Sequence, residues 1–221
     1  MGHHDTADRV QIVGRSSSHF TRLALIFAHE LGVSFELVPV HDMTETDPAI
    51  YAGNPALKLP ILRRGGSPVF GAENICRALA ELADPPRRVV WPEQLGSDLA
   101  RNAHELVRHA MAAQVQLIFG TVVAQLPADN LYFVKAREGF AGALAWLDEH
   151  LARVLESLPA SRELSLFEAS LYCLVDHLTF RATLPLQPYP ALVRFAQEFA
   201  ARPSAQRTPY RFDAPPANAA S

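Results

Sequence analysis

Ser16, Ser17 and Ser18 follow a short apolar run ended by Gly14, and an apolar pattern of helical spacing starts directly after them. Hydroxyls in that place cap a helix by accepting hydrogen bonds from its first backbone N–H groups. A helix start also favours negative charge, through its unpaired N–H groups and its dipole. A second such start is expected at Glu73-Asn74, where an acidic residue complements the dipole. Between them runs Asn54-Pro55-Ala56-Leu57-Lys58-Leu59-Pro60-Ile61-Leu62, a loop leading into a short apolar strand with Pro60 at its beginning. Proline lacks a ladder donor and is tolerated at a strand start, an edge or a turn. An X-Pro bond is also the one place where a cis peptide costs little, roughly 0.5–1 kcal/mol. A trans Pro60 is an ordinary strand edge. A cis bond at Leu59-Pro60 would turn the Leu59 backbone outward to pair with an extended, peptide-like ligand as an added strand would.

Other chemistries find little support. Cys76 and Cys173 lie in separate helical patterns and form no Cys-x-x-Cys pair, so disulfide exchange by the chain's own thiols is not expected. Both read as small buried apolar residues. His104 and His109 flank an acidic residue on a helix, but five positions apart they leave a common face, and no metal site is expected. His3 and His4 read as terminal residues without order. His19, next to Ser18, could contact a ligand or stand as a surface imidazole.

The elements that must position these groups fall into two kinds. Val10–Val13 reads as a strand. Phe20, Leu23, Ala24, Phe27, Ala28 and Leu31 mark one helix face, and Gly32 stops that helix. Residues 34–40 make a second strand, parallel to the first by the handedness of such units. Residues 44–52 suggest an irregular short helix. Strands at 59–62 and 69–70 flank Arg63-Arg64-Gly65-Gly66-Ser67-Pro68, an antiparallel hairpin, and a helix spans 73–82. The order is β-α-β-α-β-β-α.

After Asp84-Pro85-Pro86-Arg87-Arg88 the periodicity is that of long helices only. Leu99, Ala103, Leu106, Ala110, Ala113 and Leu117 mark one; Phe140, Leu144, Leu147, Leu151, Leu155 and Leu158 mark the next. Ser165-Leu166-Phe167-Glu168 reads as a capping box, and a last helix carries Leu192, Phe195 and Phe199. The expected organisation is 9–83 as an α/β domain with a mixed four-stranded sheet, 84–94 as a linker, 95–202 as an all-α helical bundle, and 203–221 as an extended tail. The chain has 221 residues, 49% hydrophobic and 19% charged, with a formal net charge of −3. That composition is a globular protein's and argues against a nucleic-acid surface. No run of 18 apolar residues predicts a membrane span, no signal region is seen at the start, and a cytoplasmic setting is expected.

Over residues 9–202 the sequence resembles a cytosolic glutathione S-transferase of the bacterial type. Three motifs carry the likeness. The segment 54–62 is similar to the family's Asn-Pro-x-x-Lys-Val-Pro-x-Leu stretch with its cis proline. Gly71-Ala72-Glu73-Asn74-Ile75 stands where the family has Glu-Ser-x-x-Ile, with Asn for Ser. Ser165–Glu168 resembles the capping box of the family's core helix. The resemblance implies a thioredoxin-like N-terminal domain, a cis Pro60, and glutathione as co-substrate. It implies that Ser18, or its neighbours Ser16 and Ser17, steadies the glutathione thiolate, and that Glu73 and Asn74 hold the γ-glutamyl end. Leu59 would pair with the peptide backbone, Lys58 would reach the glycine carboxylate, and His19 would lie close by. It further implies transfer to a small apolar electrophile bound near residues 103–120, and a homodimer. The alternative is a non-catalytic binding or regulatory protein on the same fold.

Overall fold

The computed structural model describes residues 9–214; His3 and His4 lie outside them. In chain order its elements are β1 Gln11–Gly14, α1 His19–Glu30, β2 Glu36–Pro39, β3 Ile61–Arg63, β4 Val69–Phe70, α2 Ala72–Ala80, β5 Val89–Val90, α3 Asp98–Leu117, α4 Leu131–Ser157, β6 Leu164–Ser165, α5 Leu166–Arg181, α6 Pro190–Ala200 and α7 Pro203–Arg207. A π-helical stretch, Ile118–Val123, continues α3. The chain divides into two units, one through Arg87 together with the chain from Pro203 on, the other Arg88–Arg202.

The first unit is built on a four-stranded sheet in the order β2-β1-β3-β4. β1 pairs parallel with β2, and β3 pairs antiparallel with both β1 and β4. This is the mixed sheet expected from the sequence. α1 is buried well beyond the single face its periodicity suggests, with Thr21 through Ala28 all in the interior. α2 packs on it, and α7 covers a further side. Gly32 ends α1 at φ 70°, with Val33 N–H donating to Ala28 O and Gly32 N–H to His29 O, which pairs off the last carbonyls of the helix. Residues 48–53 fold as consecutive turns and 44–47 have no regular structure, in place of a helix, with Ala52 and Gly53 at positive φ. The segment from Pro203, expected to be extended, begins with the helical turn of α7. Its apolar and hydroxyl side chains, Ala205, Ser204 and Thr208, are buried against this unit.

The second unit is helical apart from a two-residue parallel pairing of β5 with β6 that the sequence did not suggest. α3 packs along α4 and α5. Its buried row is Ala100, Ala103, Val107, Ala110, Met111 and Leu117, while Leu99, Leu106 and Ala113 stay half-buried on the flank. Asp98–Val123 is long and apolar enough by composition to cross a membrane. In this unit that apolar row meets the neighbouring helices.

Only half of the expected capping box at α5 forms. Ser165 Oγ accepts from Glu168 N–H at 3.4 Å. The Glu168 carboxylate, instead of turning back to Ser165, takes a two-pronged hydrogen bond from Arg162, Nε to Oε2 at 2.7 Å and Nη2 to Oε1 at 2.9 Å. A guanidinium fork matches a carboxylate better than one backbone N–H does. Arg162→Ala is therefore expected to lower stability by about 1.5–3 kcal/mol, read from urea unfolding, with Arg162→Lys recovering part of it.

Candidate functional site

The sheet register gathers the candidate residues at one end of the first unit. Val13 pairs with Ile61, and Ile61 with Phe70, in one row across three strands. Beyond that row β1 runs out into Arg15–Ser18, β3 is entered from Leu59 and Pro60, and β4 passes through Gly71 into α2. Leu59-Pro60 is cis, as the resemblance implied, and so is Asp84-Pro85. Leu59 lies past the last β1–β3 pair, so its backbone stands outside the ladder. Its side chain packs with Leu57 against Val13, Val40, Tyr51, Ala52 and Ile61. Burial holds the Tyr51 hydroxyl above its ordinary range.

The proline loop is held from within by Asn54, 4% exposed. Its amide donates to Lys58 O at 2.8 Å, and its Oδ1 accepts from Ala56 N–H at 3.0 Å. This places Leu57 at φ 52°, a left-handed conformation that few side chains adopt without such support. Lys58 is exposed.

The three serines differ in what the fold has done with their hydroxyls. Ser16 is buried, and its Oγ–H donates to the Asp213 carboxylate at 2.6 Å while its N–H donates to the other oxygen at 2.8 Å. Ser17 is buried, 3% exposed. Ser18 is half-buried and caps α1, its Oγ accepting from Thr21 N–H at 3.3 Å. That bond uses a lone pair of the Ser18 oxygen and leaves its proton to donate elsewhere. His19, expected at the surface or against a ligand, is 1% exposed and sits beside the Phe20 ring at 4.6 Å. As the first residue of α1 it turns inward with the helix, which corrects the expectation of a surface imidazole.

α2 starts differently. Its cap position is Gly71, at φ 87°, with no side-chain hydrogen bond to the first turn. The leading N–H groups of a helix have no partner within it, so a carboxylate can take them. Glu73 is half-buried and receives Arg77 Nε at 3.2 Å and Nη2 at 2.9 Å, both on Oε1. Oε2 carries neither bond and can meet an ammonium. Asn74 donates one amide hydrogen to Phe70 O at 3.1 Å, so its backbone N–H is the better carboxylate donor.

Sequence reasoning missed Asn54 as the loop's internal brace and Asp213 altogether. The Asn-Pro start signals a turn but not which acceptor the amide reaches. Asp213 is 197 positions from Ser16, with no local pattern to link them. A cavity of about 130 Å3 behind α1, lined by Arg22, His29, Phe35, Arg207 and Arg211, shares Ser16 with this end of the sheet but neither Leu59 nor Glu73. Burial, helped by Arg207, holds the His29 imidazole there below its ordinary value.

Residues 17–82 match the family described as glutathione S-transferase, N-terminal domain. Among solved structures, the chain is similar to a glutathione S-transferase of Methylobacterium radiotolerans in complex with glutathione sulfonate, with a TM-score of 0.70 and 24% identity, covering 94% of this chain and 98% of that one. It is similar to one of Methylobacillus flagellatus with GSH bound, with a TM-score of 0.71 and 18% identity, over 91% and 100% of the two chains. A glutathione transferase family member of Pseudomonas fluorescens with bound glutathione gives 0.70 and 20%, over 91% and 99%. No curated protein matches the chain. Residues 17–82 thus match that family's N-terminal domain, and the chain as a whole shares the fold of these structures.

Asn54→Ala removes both braces of the proline loop from a buried position. It is expected to cost about 1–3 kcal/mol, seen as a lower urea midpoint with an unchanged slope.

Proposed function

We propose that this chain binds glutathione at the Ser18, Leu59 and Glu73 end of its sheet, steadies the thiolate, and transfers it to a small apolar electrophile. One observation carries the reading: a hydroxyl with its proton available, a backbone segment outside the ladder and an uncapped helix start meet at one end of one sheet. Each matches a different part of the tripeptide. The γ-glutamyl carboxylate goes to the first N–H groups of α2, and its ammonium to Glu73 Oε2. The cysteinyl backbone pairs with Leu59, and Lys58 stands by the loop for the glycine carboxylate. Ser18 Oγ–H donates to the sulfur, aided by the positive end of α1.

Donating to the anion favours it over the thiol, and each unit by which the thiol pKa falls is worth about 1.4 kcal/mol. The thiolate is the attacking species. Its sulfur forms the new bond to the electrophilic carbon and displaces a leaving group or adds across an activated double bond. The proton lost from the thiol passes to solvent. Similar structures crystallised with glutathione or its sulfonate support the binding half. We infer a cytoplasmic homodimer from the same likeness; two buried cysteines without a disulfide suit a reducing compartment.

The non-catalytic reading draws support from Asn74, whose amide is partly engaged with Phe70. Two measurements separate the readings. Glutathione at a hundred times its Kd should stabilise the protein by about 2.7 kcal/mol, visible as a raised melting temperature; no shift, and no retention on immobilised glutathione, refutes binding. Ser18→Gly, which spares most of the helix cap, should lower kcat/KM with a model electrophile by at least about tenfold while glutathione still binds. Unchanged turnover would remove Ser18 from the mechanism.

A further inference from the structure

We propose that Asp213 is a positioning residue of this site: reaching back from the C-terminal segment, its carboxylate fixes the Arg15–Ser18 turn so that Ser18, and not Ser16, presents a hydroxyl to the ligand sulfur. The inference rests on the glutathione reading above and goes beyond it.

The turn itself is lightly tied. Ser18 N–H donates to Arg15 O at 3.0 Å, and Arg15 N–H to Thr21 Oγ1 at 3.2 Å. Ser16, the first inner residue of that turn, directs its N–H away from the turn's own carbonyls, and Asp213 receives it at 2.8 Å. The second bond, from Ser16 Oγ–H at 2.6 Å, makes the pair two-pronged and charge-assisted, the strong class of hydrogen bond. The Asp213 side chain is 12% exposed and Ser16 6%, so water competes little for either.

The segment that brings Asp213 there has a fixed path. Ser204 Oγ donates to Glu30. Thr208 Oγ1 bonds Ser204 O at 2.9 Å, closing α7. The Arg22 guanidinium, on the buried α1, lies 4.2 Å over the Tyr210 ring and donates to Ala205 O and Thr208 Oγ1. Arg211 Nε stands 4.0 Å from the Asp213 carboxylate and offsets its charge, which would otherwise oppose a thiolate nearby. Two consequences follow at the site. The Ser16 proton is committed to Asp213, so Ser16 cannot also donate to sulfur. The backbone two residues before Ser18 is pinned, and a donor aimed at a developing charge works only if it is held in place.

The test compares Asp213→Ala, Asp213→Asn and Ser16→Ala with the wild-type chain. Thermal stability, glutathione affinity, kcat/KM and the pH titration of bound glutathione by its ultraviolet thiolate absorbance are read for each. In Asp213→Ala glutathione should still bind, through Leu59 and Glu73. The bound thiol should titrate at a higher pH, nearer that of the unbound tripeptide, and kcat/KM should fall roughly ten- to a hundredfold. Asp213→Asn keeps an acceptor for the Ser16 N–H and should recover part of the loss. Ser16→Ala added to Asp213→Ala should cost nothing more. A folded Asp213→Ala whose bound thiol titrates and turns over as in the wild type overturns the proposal, leaving Asp213 a structural tie. Should Asp213→Ala fail to fold, Asp213→Asn decides by the same titration. Absence of glutathione binding in the wild type sinks the underlying reading and this proposal with it, a result distinct from the variant behaving normally.

Discussion

A single cross-strand row, Val13 to Ile61 to Phe70, governs where the groups of the candidate site stand. Ile61 is its centre, paired on both sides and wholly buried. β3 is only three residues long, so little else fixes its register. A slip of one residue would send Ile61 to the opposite face, away from Val13, Val40 and Tyr51. It would also carry Leu59 into the ladder and shift the entry to α2. The apolar cluster beneath the row and the polar site above it are thus set by the same pairing. Asn54 extends that control into the loop, since its two bonds span the residues that deliver Leu59 to the strand.

The two helix starts at this end of the sheet are finished in opposite ways, and the difference divides their work. Ser18 caps α1, which consumes one of the N–H groups a ligand anion could have used but leaves an O–H directed by the cap. α2 begins at Gly71, which supplies no side chain, so its N–H groups stay available as a cluster of donors. A carboxylate, with two oxygens, is matched to several N–H groups; a single sulfur is matched to one hydroxyl. In the binding mode proposed above, Glu73 beside the α2 start would take the cationic part of a zwitterion while the N–H groups take its anionic part. Arg77 on Oε1 orients that carboxylate without consuming both of its oxygens.

Much of this was readable from the sequence because it depends on local rules. Gly32 ends α1 as its place after the last apolar residue implied, and Pro60 marks the strand entry that its missing N–H requires. The four strands follow from short β-rich runs between turn residues. The rest depends on what packs against what. The periodicity of α1 suggested one buried face, and nothing in it foretold the further side covered by α7. His19 reads as a surface residue only while the helix is taken to be half-exposed. The box at Ser165 matched its motif, but Arg162 competes for Glu168 from outside the four-residue window. In each case a local signal was overridden by a partner that the signal could not contain.

Arg22 shows why that unseen side of α1 matters. A guanidinium at 2% exposure is costly to bury unless its donors and its charge are met. Two acceptors it uses, Ala205 O and Thr208 Oγ1, and the ring beneath it, Tyr210, come from the C-terminal segment. An arginine in the middle of an apolar helix therefore implies a covering segment able to satisfy it, even though the sequence does not say which. Once that segment is committed to Arg22, its continuation runs towards the N-terminal end of α1, and Asp213 arrives at Ser16 three residues after Tyr210. The buried charge and the ordered turn beside Ser18 are thus two results of one packing event. The segment from Pro203 to Asp213, expected to be extended, becomes part of the unit whose first turn it secures.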